Sequence, residues 1–409
     1  QRRFESHPQF QATLLLLQER VPRSSGEWAS EPEIVDVRSV AEQPQIPLRV
    51  FRDAATRRPA MQLLSNGRYH VMVSSAGGGY SRWRELALTR WREDATRDPW
   101  GMYAYLRDVD SGRVWSTTAQ PTLAPTDSYE AVFTESRVEF RCRADLLDAH
   151  TEIVVSPEDD IELRRTRITN RSRSERVIEF TSYAEVVLAT AISDDLHPAF
   201  SNLFVQTELV PARDAILCTR RPRAADEAQP WMFHLVALHD ADSEELSFEC
   251  DRMRFIGRGG SGVDPAAMRM PGPLSGTAGP VLDPIVAIRH RLRLRPERTV
   301  CIDMVTGIAA GRDECVVLAD KYHDRHLADR VLDLAWTHSR VVLGQINVSE
   351  TDAQTYARLA ECVVYADPLR RAAPNIIASN RRDQTGLWAH AISGDLPIVL
   401  LQVADTANI

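Results

Sequence analysis

The stretch IVAIRHRLRLR, residues 285–295, decides the fold class. From Ile288 onward it alternates: Ile288, His290, Leu292 and Leu294 fall on one side, Arg289, Arg291, Arg293 and Arg295 on the other. A period of two is that of a strand, and it puts all four arginines on one face. The same reading extends along the chain to RYHVMVS (68–74), MYAYLRDV (102–109), VEFRCRA (138–144), TEIVVSP (151–157), IELRRTRITN (161–170), RVIEFTSYAEVVLA (176–189), WMFHLVALH (231–239) and LSFECDRMRFIG (246–257). Turn signals such as Pro-Glu-Asp-Asp, Asn-Arg-Ser and Asp-Ser-Gly separate these runs. Strands from about residue 61 to 311, with no helices alternating between them, predict a large antiparallel sandwich and argue against a βαβ fold.

The flanks read differently. Residues 9–20, QFQATLLLLQER, predict one short helix, and a polar, Pro-bearing linker completes residues 1–60. From 312 the period becomes helical: Val331, Leu334, Ala335, His338, Val341 and Val342 share a face, and 312–346 reads as linker helices. After a break at Asn347, Ser349 and Asp352 form a capping-box pattern. Residues 347–409 are expected to open a larger helical domain whose remainder lies beyond the chain.

Bulk properties exclude several classes. The net charge of −8 is made of interspersed signs, with no basic stripe to follow a nucleic acid. Lys321 is the only lysine against a large number of arginines. Six cysteines (Cys142, Cys218, Cys250, Cys301, Cys315, Cys362) show no CxxC spacing and read as reduced thiols of a cytoplasmic protein. The N-x-S sequons at Asn170 and Asn347 matter only for a secreted chain. QRRFESHPQF at the start has no signal-peptide core, and no run of about 18 apolar residues exists, so membrane contact by this segment is not expected.

The motif richest in chemistry is SAGGGYSRW, residues 75–83. Gly77, Gly78 and Gly79 match neither the Walker nor the Rossmann pattern. One reading is a tight turn needing positive φ. The other is a loop that approaches a ligand. Tyr80, Trp83 and Trp91 supply flat apolar faces, and Arg82, Arg84, Arg90 and Arg92 supply donors. Sugars stack their C–H faces on aromatic rings and take directional hydrogen bonds, and phosphate takes guanidinium forks. The remaining groups read as ordinary surface. His323 and His326 have no third ligand at a metal spacing. Glu158, Asp159 and Asp160 read as a solvated turn, and Asp194, Asp195 and His197 as a surface loop with a cleft as the rival. Near the end, Trp388, Ser393 and Asp395 gather around Gly394, with Asp395 either a helix cap or part of a pocket.

The segment LLSNGRYHVMVSSAGGGYSRWRELALTRWREDATRDPWGMYAYLRDVDSGRVWSTTAQPT resembles the N-terminal domain of family-94 glycoside phosphorylases, in particular the C-terminal region of cyclic β-1,2-glucan synthases. The resemblance continues through HPAFSNLFVQTE, KYHDRHLADRVLDLAWTHS and LWAHAISGDLPIVLLQ, and covers nearly all of 60–409. It implies a galactose-mutarotase-like β-supersandwich, linker helices and the start of an (α/α)6 toroid. It implies an inverting glycoside phosphorylase or glycosyltransferase acting on a β-glucan oligosaccharide or polysaccharide. Inorganic phosphate would be co-substrate, no other cofactor would be needed, and the parent would be a homodimer held at a bacterial inner membrane. A non-catalytic carbohydrate-binding or dimerisation module is the alternative. The family's acid lies in a W-N-D-G-type segment, which this sequence lacks, so no catalytic residue is assigned. Tyr80, Arg82, Trp83, Arg90, Trp91, Arg92, Trp388, Ser393 and Asp395 are the expected substrate-binding residues.

Overall fold

The decisive stretch is a strand, Pro284–Leu294, in a computed structural model that describes residues 48–365 and 372–398, apart from positions 57, 223, 225, 226, 242 and 397. The helix expected over 9–20 lies outside the described residues, as does the chain end after 398. The described residues fall in two compact units, one spanning 46–367 and one including 368–409.

The larger unit holds two nine-stranded antiparallel sheets, with strands numbered along the chain. The first sheet runs β1 (Arg49–Phe51), β8 (Ser128–Phe133), β9 (Val138–Ala144), β10 (Leu147–Val155), β11 (Ile161–Asn170), β18 (Thr299–Ala309), β15 (Trp231–His239), β14 (Ala215–Arg220), β13 (Val205–Val210). The second runs β16 (Ser243–Asp251), β17 (Pro284–Leu294), β12 (Arg176–Thr190), β5 (Leu86–Thr89), β4 (Gly79–Trp83), β3 (Tyr69–Ser74), β2 (Met61–Ser65). Two further strands, β6 (Tyr103–Asp108) and β7 (Val114–Ser116), extend it beside the first half of β12. This is the expected antiparallel supersandwich.

Burial explains the texture of the decisive stretch. Val286, Ile288, Leu292 and Leu294 enter the core between the sheets with Phe140, Ile153, Phe180 and Ile302. On the outer face, Ile285 and Ala287 meet Tyr105, Tyr183, Phe255 and Met268 under a cover made by α3 (Arg252–Ile256) and α4 (Ala266–Arg269). Both faces are therefore dry at IVAI, and the run is continuously apolar. Farther along, Arg293 reaches solvent and pairs with Glu175 and Glu244, so alternation returns. Arg289 stands on the arginine face yet is buried. Its guanidinium donates to Thr181 Oγ1 at 2.9 Å and to the carbonyls of Gly272 and Ala267 at 2.8 Å each. The run at 246–257, read as one strand, turns helical at Arg252 because the Asp251 carboxylate caps Met253 N at 2.8 Å.

Three described helices follow the sandwich within the larger unit: α5 (Arg312–His323), α6 (Arg325–Gln345) and α7 (Glu350–Val364). Cys315, Ala319, Tyr322, Val331 and Ala335 cover the outer face of the first sheet with Leu163, Leu235 and Val305. The Ser349–Asp352 capping box is present as expected. The acidic turn at 158–160 is not merely solvated: Asp159 takes Lys321 at 2.6 Å and Tyr322 at 2.5 Å, and Glu158 takes Arg330 at 2.5 Å, docking the helices. The sequon residue Asn170 is buried and spends its amide on Ser174 O and Leu294 O. No described helix is long and apolar enough to cross a membrane.

One buried ion pair ties sheet to helix. Arg165 on β11 makes a two-pronged contact with Asp303 on β18, at 2.7 Å for each prong, and reaches Asp329 on α6 with its remaining nitrogen. Burial pushes the Asp303 carboxyl up, but Arg165 and His239 outweigh it and hold it below the usual range. Breaking one side of such a pair strands the other charge. Arg165→Leu is expected to lower the free energy of denaturant unfolding by about 3–5 kcal/mol, and R165L/D303L to recover most of that loss.

Candidate functional site

The three glycines make a turn and keep no donors for a ligand. Gly77 N donates to Ser74 O at 2.9 Å, Gly78 N to Ser74 Oγ at 3.0 Å and Gly79 N to Trp100 O at 2.7 Å. A Cβ on Gly79 would sit 1.9 Å from Met72 O, and one on Gly78 would sit 2.7 Å from Asp98 Oδ1. The sequence needs glycine here so that β4 can start beside β3 and a buried carboxyl can press on the turn.

Alternation along β4 then sorts the candidate side chains. Ser81 turns inward to the fully buried Glu162. Trp83 packs against the inter-sheet core and donates Nε1 to Asp160 Oδ2 at 2.6 Å. Tyr80 and Arg82 point to the other face. With Arg90, Trp91 and Arg92, which follow β5, they line a cavity of about 700 Å3. Its far wall is α1 (Ala191–Leu196), which contributes Ile192, Asp194 and Asp195, and Val364 at the end of α7 also lines it. The expected surface loop at 192–203 is thus two short helices, α1 and α2 (Pro198–Asn202), and its rival reading as a cleft wall is the observed one.

Arg90 holds that wall in place. It grips Asp194 through Nε and Nη2 at 3.0 Å each, Glu185 Oε2 at 2.6 Å and Asn202 Oδ1 at 2.7 Å, and is itself buried. Burial alone would lower its pKa, but Asp194 and Glu185 more than compensate. Asn202 in turn donates to Asp283 Oδ1 at 2.7 Å, pinning α2 to the segment that enters β17. Arg92 lies 3.4 Å from Asp195 Oδ1 and 5.9 Å over the Trp100 ring, and Arg82 lies 3.5 Å from Glu85 Oε2. The lining carries Arg82, Arg90 and Arg92 against Glu85, Glu93, Asp194 and Asp195, three positive groups facing four negative ones.

Behind the aromatic lining is a buried carboxyl that sequence reasoning did not single out. Tyr80 packs edge-on to Trp91 at 5.5 Å, Trp91 to Tyr365 at 5.7 Å, and Tyr365 OH donates to Asp98 Oδ1 at 2.7 Å. Ser74 Oγ donates to the other oxygen. Asp98 and Tyr365 lie 267 positions apart, so no local spacing reveals them.

Trp388, Ser393 and Asp395 belong to the second unit, with α8 (Pro374–Ser379) and α9 (Thr385–Trp388). There Gln384 Nε2 donates to Ser393 O at 2.8 Å and to Asp395 Oδ1 at 2.7 Å, which closes the turn at Gly394, while the Trp388 side chain is exposed. Asp395 precedes no described helix. His323 meets Asp214 at 3.4 Å, and the described residues contain no cluster of three or more His, Cys, Asp or Glu suited to a metal.

Residues 45–325 match the family described as "Glycosyl hydrolase 94, supersandwich domain". The chain belongs to this family. The matched range takes in all eighteen described strands and every residue of the cavity except Val364. Over 408 residues the chain is 34% identical to the cyclic beta-(1,2)-glucan synthase NdvB of Rhizobium meliloti (strain 1021), covering 99% of this chain and 14% of that protein. It is 26% identical over 276 residues to the N,N'-diacetylchitobiose phosphorylase of Vibrio furnissii, covering 66% of this chain and 33% of the relative. It is 23% identical over 285 residues to the solabiose phosphorylase of Paenibacillus borealis, covering 66% and 35%. The family-94 chain thus spans about a third or less of these relatives' lengths.

Burial pushes the Asp98 carboxyl up to about 6, with the Ser74 and Tyr365 hydrogen bonds holding it back and Asp94 adding to the rise. Because the folded state binds this proton more tightly than the unfolded one, the resulting stabilisation is complete at acid pH below the ordinary value of 3.8 and disappears as pH rises through about 6. Above that range the ionised group costs about 3 kcal/mol relative to the neutral one. Asp98→Asn is expected to flatten this part of the stability profile, measured by urea unfolding from about pH 4 to 7, and to gain on the wild type toward neutrality.

Proposed function

We propose that this chain supplies the supersandwich of an inverting phosphorylase or glycosyltransferase-like module acting on β-1,2-glucan with inorganic phosphate. In this reading the cavity walled by Tyr80 and Trp91 binds a neutral saccharide segment. The carrying observation is the charge balance of that cavity. Arg90 is spent on Asp194, Glu185 and Asn202, while Arg82 and Arg92 each have a carboxylate nearby. A phosphate dianion would meet a lining in which four carboxylates outnumber three guanidinium groups. A polyol finds aromatic rings, fixed carboxylate acceptors and arginine donors, which suit hydroxyl groups without requiring net charge.

Phosphate would then bind outside this cavity, and the acid that protonates the leaving oxygen comes from no residue assigned here. Inverting hydrolysis needs a second carboxylate to activate water. Phosphate is already an anion, so one acid is enough. We place residues 347–409 at the start of the (α/α)6 toroid that would carry those groups, and Trp388, Ser393 and Asp395 in that body. A homodimer of the parent at an inner membrane belongs to the same proposal. The balanced cavity also suits the second reading, a carbohydrate-binding module with no chemistry of its own.

Calorimetric titration with linear β-1,2-gluco-oligosaccharides tests the site. Trp91→Ala is expected to weaken binding at least tenfold, about 1.4 kcal/mol, with Arg92→Gln as a second variant that leaves the Tyr80–Trp91 packing intact. Millimolar phosphate should leave the affinity unchanged. Displacement of the sugar by phosphate, or release of glucose 1-phosphate by this chain from glucan and phosphate, would overturn the assignment.

A further inference from the structure

The cavity's aromatic lining does not stand alone. Tyr365, just past the end of α7, is fully buried and packs edge-on against Trp91 at 5.7 Å. Its hydroxyl is held by Asp98 at 2.7 Å, and Asp98 is fixed from the other side by Ser74. The glycine turn closes over the same carboxyl, since even a methyl group on Gly78 would strike it. Met61 and Met72 complete the dry cluster around Tyr365, Tyr80 and Trp91. The ring that lines the cavity is therefore backed by a ring whose polar end rests on one carboxyl.

We propose that Asp98 and Tyr365 are positioning residues for the saccharide cavity, and that the charge on Asp98 sets how firmly Tyr365 holds Trp91. The inference rests on the saccharide reading of the cavity for its consequence, though not for its mechanics. An ionised Asp98 accepts a charge-assisted bond from Tyr365, roughly twice as strong as a neutral one. A protonated Asp98 offers only a neutral acceptor. Acidification thus loosens the tether locally while it stabilises the fold globally, so the two effects have opposite signs and can be separated.

No other group near this carboxyl confuses the response. Asp94, on the same loop, is half-buried and held low chiefly by its hydrogen bond with Thr96, so it stays ionised. Tyr103 on β6, Tyr129 on β8 and Tyr365 itself are pushed far up by burial and stay neutral. Ser74 carries no charge. Asp98 is left as the group in this set that titrates in mildly acid solution, and burial is what moves it there.

The test has two arms. In the first, without sugar, Trp91 emission is isolated as the difference between the chain and its Trp91→Phe variant and followed from about pH 4.5 to 8. The expected result is a single transition with a midpoint near 6 in the wild type. Both Tyr365→Phe and Asp98→Asn should remove it, the former keeping the ring and losing only the hydroxyl. In the second arm, affinity for a linear β-1,2-gluco-oligosaccharide should fall about threefold from pH 7.5 to 5 in the wild type. In Tyr365→Phe it should be weak and flat across the range. A wild-type emission signal that does not titrate, or a transition that persists in Asp98→Asn, overturns the proposal. If Tyr365→Phe fails to fold, Asp98→Asn decides alone. A titrating emission signal with no saccharide binding at any pH would sink the proposed function and leave the tether standing.

Discussion

The arrangement depends on one strand changing partner. β12 runs fifteen residues and keeps β17 along one edge as far as Glu185. Along the other edge its first half pairs with β6 and its second half with β5, and the register shifts between Val186 and Ala189, where Leu188 takes a φ of +51°. A strand with both edges occupied cannot slide, and a bulge at the switch bends the sheet at that point. Glu185 stands just before the switch. It takes Arg90 from the end of β5, Arg252 from the cover over the outer face, and Tyr183 from its own strand. The cavity wall, the cover and the sheet bend therefore meet on a single buried carboxylate. Removing it would take the carboxylate from Arg252 and leave Arg90 with Asp194 and Asn202 alone, which is why the site and the fold cannot be altered independently there.

Much of this was legible in the sequence because period two is a local signal. β9, β11 and β15 span the same residues that the alternation marked, β12 runs one residue farther at its end, and β17 is shifted by one residue at both ends. Alternation failed where a short polar side chain redirected the backbone, as at Asp251, and could not register strands of three or four residues such as β1, β5 and β7. Nor does period two say what lies over a face. Alternation put the four arginines of β17 on one face, and there Arg289 is roofed by a segment from 252 to 283 that returns to the sheet before β17 begins.

The candidate site shows the same division. The aromatic and arginine content of residues 80–92 pointed to the right neighbourhood, and Tyr80, Arg82, Arg90, Trp91 and Arg92 share one cavity. Which guanidinium is available for a ligand was not legible, because it depends on carboxylates about a hundred residues away. Arg90 reads in the sequence as one of four arginine donors and is in the fold a rivet. Trp83 looks equivalent to Trp91, but strand alternation sends it to the inter-sheet side with Asp160. In a chain with a single lysine and many arginines, guanidinium groups are the default mortar between elements, and abundance of arginine by itself says little about anions.

Arg90 and Asp98 differ in how they treat a buried charge. Arg90 is matched by two carboxylates and an amide, so its ionisation is fixed and its geometry is rigid. Asp98 has only hydroxyl partners, so nothing cancels its charge and burial raises its proton affinity. A matched ion is structural because no accessible pH changes it. An unmatched carboxyl with neutral partners keeps two states within reach of ordinary solution, and here one of those partners backs the tryptophan of the cavity. The wall built on Arg90 gives the cavity its shape, whereas the wall built on Asp98 leaves it adjustable.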